Sequence, residues 1–289
     1  MDLNVKSSGG HNRLHASYKC PKRDSTFVLS EIRRFVYRRG KSILAQIRYK
    51  PISVYGIQYD IFHSSVPQPY RDLILYERYE FNEVKLVQKY MNPTTPVIEL
   101  GAGLGVVSCV ISLIAYGTDH IAVEANTALI DNLQHQRDIN ELHFDIINMA
   151  YHPTHDCVEF DNSDQFSERS VIQSENNSTQ TIDAVNLETL SNSFKQPRFN
   201  LVCDIEGLEW IMIQEEGNLL SDKAMNVVLE IHPDKVPVME LVDRMDTLGF
   251  KKADEKGNVY AFANKKTAYH GSNKDSVVRD SSDTDQMFA

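Results

Sequence analysis

Between residues 96 and 264, short apolar runs of strand length alternate with stretches of helical period, and that alternation admits few folds. A strand apolar on both faces, followed by a helix, is the unit of a parallel sheet with helices on either side. "PVIEL" (96–100) reads as a first strand and "LGVVSCVISLIAYG" (104–117) as a helix buried nearly all round, ending at Gly117. "HIAVEAN" (120–126) is a second strand, followed by a helix from Thr127 to about Asn140. "FDIINMAY" (144–151) reads as a third strand and "TIDAVNLETL" (181–190) as a helix. "FNLVCD" (199–204) and "MNVVLEIHP" (225–233) are two more strands, with a helix starting in "LEWIMIQEEG" between them. After Pro237 an apolar stripe runs to Gly249, and "FKKADEKGNVYAFAN" reads as a hairpin turning at Lys256, Gly257 and Asn258.

The turn after the first strand carries the first chemical signal. "ELGAGLG" places Gly101, Ala102, Gly103 and Gly105 between a strand and a helix, where backbone can approach a ligand closely. A dinucleotide loop needs G-x-G-x-x-G so that a pyrophosphate can rest on the helix N-terminus. Here the spacing is G-x-G-x-G, and Glu99 stands just ahead of it. A carboxylate there repels a pyrophosphate but suits a sulfonium-bearing amino acid, so S-adenosylmethionine is favoured over NAD. Glu124, followed by Ala125 and Asn126, is placed to accept hydrogen bonds from ribose hydroxyls, a role acids fill for both nucleotides. Asn148 and Ala150, at the end of the third strand, belong around the adenosine by topology.

The second signal is "CDIEGLEW" (203–210), which crowds Asp204, Glu206 and Glu209 after an apolar strand. Glu209 falls in the first turn of a helix, where the helix dipole favours an acid by roughly 0.3 to 1 kcal/mol, so structure and function compete for it. "LEIHP" brings Glu230 and His232 to the end of the neighbouring strand. Asp204, Glu206, Glu230 and His232 therefore converge on one rim, where two chemistries fit. Either a carboxylate or His232 takes the proton from a substrate hydroxyl, or the four hold a divalent ion (Mg, Mn or Ca) that activates it.

With "VIELGAGLG", "AVEAN", "FNLVCDIEGLEW" and "VVLEIHP" in this order, the chain resembles the FkbM family of S-adenosylmethionine-dependent methyltransferases over roughly residues 75–264. The most specific part is D-x-E-G-x-E, here Asp204, Glu206, Gly207 and Glu209, followed one strand later by E-I-H-P. The resemblance implies an α/β, Rossmann-like methyltransferase fold with a mostly parallel sheet, a C-terminal antiparallel hairpin and helices on both faces. It implies O-methyl transfer to a hydroxyl of a sugar, glycan or other small molecule. "YERYEFNEV" resembles the family's approach to the first strand, which makes Glu80 a cofactor-side candidate. Two other readings stay open: an NAD-dependent oxidoreductase, and a non-catalytic glycan-binding or scaffolding protein on the same fold.

Outside this core the chain changes character. Residues 1–50 carry 12 Lys/Arg against 3 Asp/Glu in a chain of net charge −10. Their partly helical pattern suits an interfacial helix at an anionic membrane, where a lipid-linked acceptor could be met. It also suits a surface for an acidic glycan, or a helix packed on the catalytic domain with its arginines solvated. Nucleic acid is disfavoured by the acidic main domain. A methyltransferase domain is expected over 51–264, with a polar insertion at about 161–180 and a mobile tail over 265–289. "YHPTHD" reads as a surface turn around Pro153 rather than a metal site. The four cysteines form no CxxC pair, the opening lacks an apolar signal core and no run approaches membrane-spanning length, so a cytoplasmic protein, peripheral to a membrane at most, is expected.

Overall fold

The computed structural model describes residues 50–161 and 179–268. The chain divides into two units, 1–44 and 45–289, and the described residues belong to the second. The readings of the basic segment, the centre of the polar insertion and most of the tail lie outside the described residues.

A seven-stranded sheet organises the described unit. Five strands are parallel: β3 (Val97–Leu100), β4 (His120–Val123), β5 (Asp145–Ile147), β9 (Phe199–Cys203) and β10 (Ala224–Glu230). The antiparallel hairpin β11 (Phe250–Lys256) and β12 (Val259–Asn264) closes one edge, giving the order β11-β12-β10-β9-β3-β4-β5. Order reverses between β3 and β9, so a crevice opens above the carboxyl ends of these strands. Alternation along the strands fills two cores. Val97, Ala122, Val202 and Val228 face one, while Ile98, Leu100, Val123, Leu201, Cys203 and Leu229 face the other.

Helices cover both faces: α1 (Gln68–Leu75), α2 (Phe81–Tyr90), α3 (Val106–Ile114), α4 (Thr127–Ile139), α5 (Leu187–Asn192), α6 (Glu209–Glu215), α7 (Gly217–Lys223) and α8 (Val238–Thr247). A small hairpin, β1 (Ile52–Val54) and β2 (Ile57–Tyr59), supports the glycine turn from behind. The fully buried Tyr59 donates its hydroxyl to Leu104 O at 2.7 Å, and Asn132 Nδ2 donates to the same oxygen at 2.9 Å. Among the described residues no helix is long and apolar enough to cross a membrane.

Three local expectations need correction. The stretch 181–190 is not one helix: β8 (Thr179–Val185) pairs with β7 (Cys157–Asp161) and with β6 (Ala150–Tyr151), and only then does α5 begin. The β-branched Thr181, Ile182 and Val185 favour the strand. Asn186 starts the helix by accepting the Thr189 N–H at 2.9 Å. The third strand, expected over 144–151, breaks after Ile147, because the Asn148 side chain turns to the carbonyls of Glu124 and Ala125 and β6 leaves for a separate three-stranded sheet. A helical turn, α9 (Lys265–Ala268), carries the described structure four residues into the expected tail.

Candidate active site

A pocket of about 500 Å³ opens over the carboxyl ends of β3, β4, β9 and β10. Gly101, Gly103, Glu124, Ala125, Asn126 and Ala150 line one end; Glu80, Asp204, Glu206, Glu230 and His232 line the other. Two motifs about a hundred residues apart in sequence meet between them. Asp204 N–H donates to Leu100 O at 2.9 Å, and a methyl group built on Gly101 would stand 1.8 Å from Asp204 O. Gly101 also has φ +84, so its place requires both the absent side chain and the left-handed backbone. Glu124 ties the turn to β4: its Oε2 accepts the Gly103 N–H and its Oε1 the Asn126 N–H, each at 2.7 Å.

The acid cluster is built around His232. Glu209, 0% exposed in the first turn of α6, accepts the Gly207 N–H at 3.1 Å and meets His232 Nδ1 at 2.9 Å through the same Oε1. With Nδ1 held there, Nε2 faces the pocket, 3.2 Å from Glu206 Oε2 and 3.6 Å from Asp204 Oδ1. Lys235 Nζ clamps Glu206 from the other side at 3.0 Å. Glu206 itself has φ +54, a costly conformation for a residue with a side chain, and one that sites rather than scaffolds tend to retain. Asp204 Oδ1 is sealed from solvent without a hydrogen-bond partner.

Charge is out of balance here. Burial, and then the charges of Glu80, Glu230 and Glu206, hold the Asp204 carboxyl well above the usual range, opposed by His232. Burial and then Glu230 push Glu80 up to about 7. Burial also works to lower His232, but the Glu209 hydrogen bond and the charges of Glu209, Asp204 and Glu206 win and raise it to about 9. The free protein is therefore expected to lose stability as pH rises. Glu80 keeps its proton to about 7 in the fold against 4.5 for the ordinary group, so its burial costs nothing below 4.5 and increasingly more through 7. The His232 contribution is complete below 6.5 and gone above about 9, so both groups slope the same way. Melting curves at about pH 5, 7 and 9 should show Tm falling along the series, and a rising Tm would contradict this charge balance.

The structure brings together most residues singled out in the sequence, with four exceptions at the cofactor end. Glu99 does not face the pocket. It is 2% exposed, turned into the core, and paired with His120 Nε2 at 3.1 Å across the β3–β4 register, because a buried carboxylate needs a partner and the first residue of β4 supplies one. Asn148 is a brace, donating to Glu124 O and Ala125 O and accepting from Thr127 Oγ1 at 2.9 Å. Gly105 is required by packing, since a Cβ there would lie 2.6 Å from Leu133 Cδ1. Ala102 lines a smaller cavity behind the turn rather than the main pocket. Sequence reasoning left Glu209 undecided and missed Tyr70, Tyr79 and Lys235, which also line or frame the pocket. Lys235 follows "LEIHP" by two residues, and only the tight turn in which Lys235 N–H donates to His232 O folds it back.

Comparison with known proteins matches the methyltransferase FkbM domain to residues 99–260, more than half of the chain and spanning both motifs. The chain belongs to the FkbM methyltransferase family. Among curated proteins no match was found. Solved structures similar to this family member include a ribosomal protein L11 methylase from Lactobacillus delbrueckii subsp. bulgaricus, at 11% identity and TM-score 0.37, covering 63% of this chain and 74% of that one. A precorrin-6y C5,15-methyltransferase from Geobacter metallireducens GS-15 is similar at 13% identity and TM-score 0.38, with 63% and 87% covered. Monomeric WbdD is similar at 11% identity and TM-score 0.39, with 63% and 40% covered. Likeness at this level says nothing of the substrate of this FkbM methyltransferase.

Proposed function

We propose that this protein transfers the methyl group of S-adenosylmethionine to a hydroxyl of a sugar, glycan or other small molecule. The observation that carries the reading is the juxtaposition at one pocket of the glycine turn and Glu124 with the Asp204–Glu206–His232 cluster. S-adenosylmethionine supplies an electrophilic methyl group on a positively charged sulfur. Glu124, fixed by two backbone N–H groups, keeps lone pairs on each oxygen for ribose hydroxyls. The acids at the other end favour a cation next to them.

The acceptor hydroxyl has to lose a proton as its oxygen attacks, and the residue taking it must lie within hydrogen-bond reach. His232 Nε2 is aimed for that task by Glu209. In the free protein the ring is held as imidazolium by its acid neighbours; beside a positive sulfur that preference weakens, and neutral Nε2 becomes an acceptor. Asp204 and Glu206 then stabilise the imidazolium that forms.

One ligand atom each from Asp204, Glu206 and His232 lies within 4.8 Å of the others, and this oxygen-plus-imidazole set also fits a hard divalent ion, which would supply activation of the hydroxyl. Membership of a methyltransferase family removes the ground for the hydride-transfer reading. The acceptor, whether free or lipid-linked, and peripheral membrane contact through residues 1–50 remain proposals resting on the sequence. Release of labelled methyl from S-adenosylmethionine onto a panel of neutral sugars, glycans and small polyols is the test, with S-adenosylhomocysteine calorimetry beside it. Binding of the demethylated product and methyl ethers among the products are expected; absence of heat on folded protein would sink the donor assignment.

A further inference from the structure

We propose that Lys235 sets the acceptor specificity of this site: with Glu206 it holds a second hydroxyl on the carbon beside the one whose oxygen is methylated. Resting on the methyl transfer proposed above, this gives the site a neutral acceptor with vicinal hydroxyls. Among the described residues that line the main pocket, Lys235 is the one lysine, and no arginine joins it. Its ammonium stands in the acid cluster, on Glu206, and not on Glu124 at the glycine turn.

Three features hold the side chain there. After β10 the chain turns tightly, with the Lys235 N–H donating to His232 O at 2.9 Å. The alkyl chain then lies across Gly207: a Cβ on that glycine would stand 2.8 Å from Lys235 Cδ and 3.0 Å from Lys235 Cβ. Gly207, at φ +108, is thus needed both for its own backbone angle and for the passage of Lys235. At the far end Nζ meets Glu206 Oε2 at 3.0 Å, the same oxygen that lies 3.2 Å from His232 Nε2. Only 21% of the side chain is exposed, so the ammonium is fixed at the pocket wall and does not trail into solvent.

An ammonium carries three N–H donors and no acceptor. Among the described residues Lys235 Nζ spends one of them, on Glu206, which leaves two for a ligand. A hydroxyl is the complement of such a pair, since it accepts from the ammonium and donates to the carboxylate. Lys235 Nζ and His232 Nε2 both meet Glu206 Oε2, so a hydroxyl seated between Lys235 and Glu206 is the near neighbour of one seated on Nε2. Adjacent hydroxyls on a sugar or polyol have that relation. An acceptor carboxylate or phosphate suits the place poorly: it would gain Lys235 but meet the charge of Glu206 already bonded there, with Glu230 and Asp234 also on the wall.

The test measures methyl transfer by the full-length protein, and by Lys235→Met and Lys235→Arg, with three sets of acceptors. The first is methyl α-D-glucoside, methyl α-D-galactoside, methyl α-D-mannoside and myo-inositol; the second is their monodeoxy derivatives; the third is the matching uronates. Loss of the neighbouring hydroxyl is expected to raise KM by about 10- to 100-fold, as loss of a hydrogen bond to a charged group would. Lys235→Met should raise KM for the intact acceptor by a similar factor and affect the deoxy acceptor far less, a loss of discrimination that a merely structural lysine would not produce. Lys235→Arg, which keeps charge and donors, should keep the discrimination. A folded Lys235→Met protein that discriminates as the unaltered protein does overturns the proposal, and so do uronates that outperform the neutral acceptors, since Lys235 would then be an anion receptor. Should Lys235→Met not fold, Lys235→Gln is read by the same criteria. Protein that binds S-adenosylhomocysteine yet methylates none of the vicinal acceptors also overturns it and leaves the donor assignment standing; absence of heat with S-adenosylhomocysteine refutes the methyl transfer beneath it.

Discussion

Gly101→Ala is expected to abolish binding of S-adenosylhomocysteine and to destabilise the protein by about 3 kcal/mol or more, combining overpacking with a left-handed backbone imposed on alanine. The added methyl would meet Asp204 O at 1.8 Å, and that oxygen belongs to a backbone segment whose own N–H is bonded to Leu100 O. Neither partner can yield without the other: moving β9 away from β3 breaks their register at Leu100 and Cys203, and moving the turn displaces Gly103 from Glu124. Thermal unfolding and product calorimetry on the same variant check both parts. A melting temperature close to that of the unaltered protein would mean that the two motifs do not abut as described. Gly117→Ala is the control, because its positive φ of 82° carries the backbone cost while nothing lies within 4 Å of the added carbon.

His232→Ala is expected to lower turnover by about 10²- to 10⁴-fold, the span general-base groups commonly contribute. Affinity for S-adenosylhomocysteine should stay within roughly threefold, since the glycine turn and Glu124 make no contact with the imidazole. Glu209→Gln should lose less, roughly tenfold, because an amide can still hold the ring but no longer supports the positive charge that forms on it. Single-turnover rates set against product affinity separate these effects, and full turnover in His232→Ala would end its assignment as proton acceptor. Glu209→Gln has a second consequence. The His232 proton is held to about 9 largely by Glu209, so the imidazole resonance should titrate at lower pH in the variant, and NMR of that ring reads the shift.

Periodicity alone made most of the fold legible. Every parallel strand of the main sheet is an apolar run in the chain, and the closing hairpin shows its turn at Gly257 and Asn258. The stretch 181–190 misled because its strand and its helix are fused without a glycine or proline between them, and a single capping residue, Asn186, makes the division. At the site, the residues of "CDIEGLEW" and "LEIHP" were visible because carboxylates crowded after a buried strand need an explanation that folding does not supply. Glu83, a buried acid lining the smaller cavity behind the turn, was invisible for the opposite reason: on α2 it reads as an ordinary acid in a helical first turn.

What the sequence determined by itself was the succession of parallel strands in the main sheet, the tight turn after β3 and the kind of chemistry gathered after β9 and β10, since apolar period, glycine spacing and residue type are local properties. Which way each acid points was decided only by the tertiary structure. Glu99 and Glu83 are both buried acids near one turn, yet the first meets an imidazole across the sheet and the second lines a small cavity beside Glu80 and Asp204. A buried charge takes its role from the partner within a few ångströms, and that partner comes from a strand or helix far away in the chain.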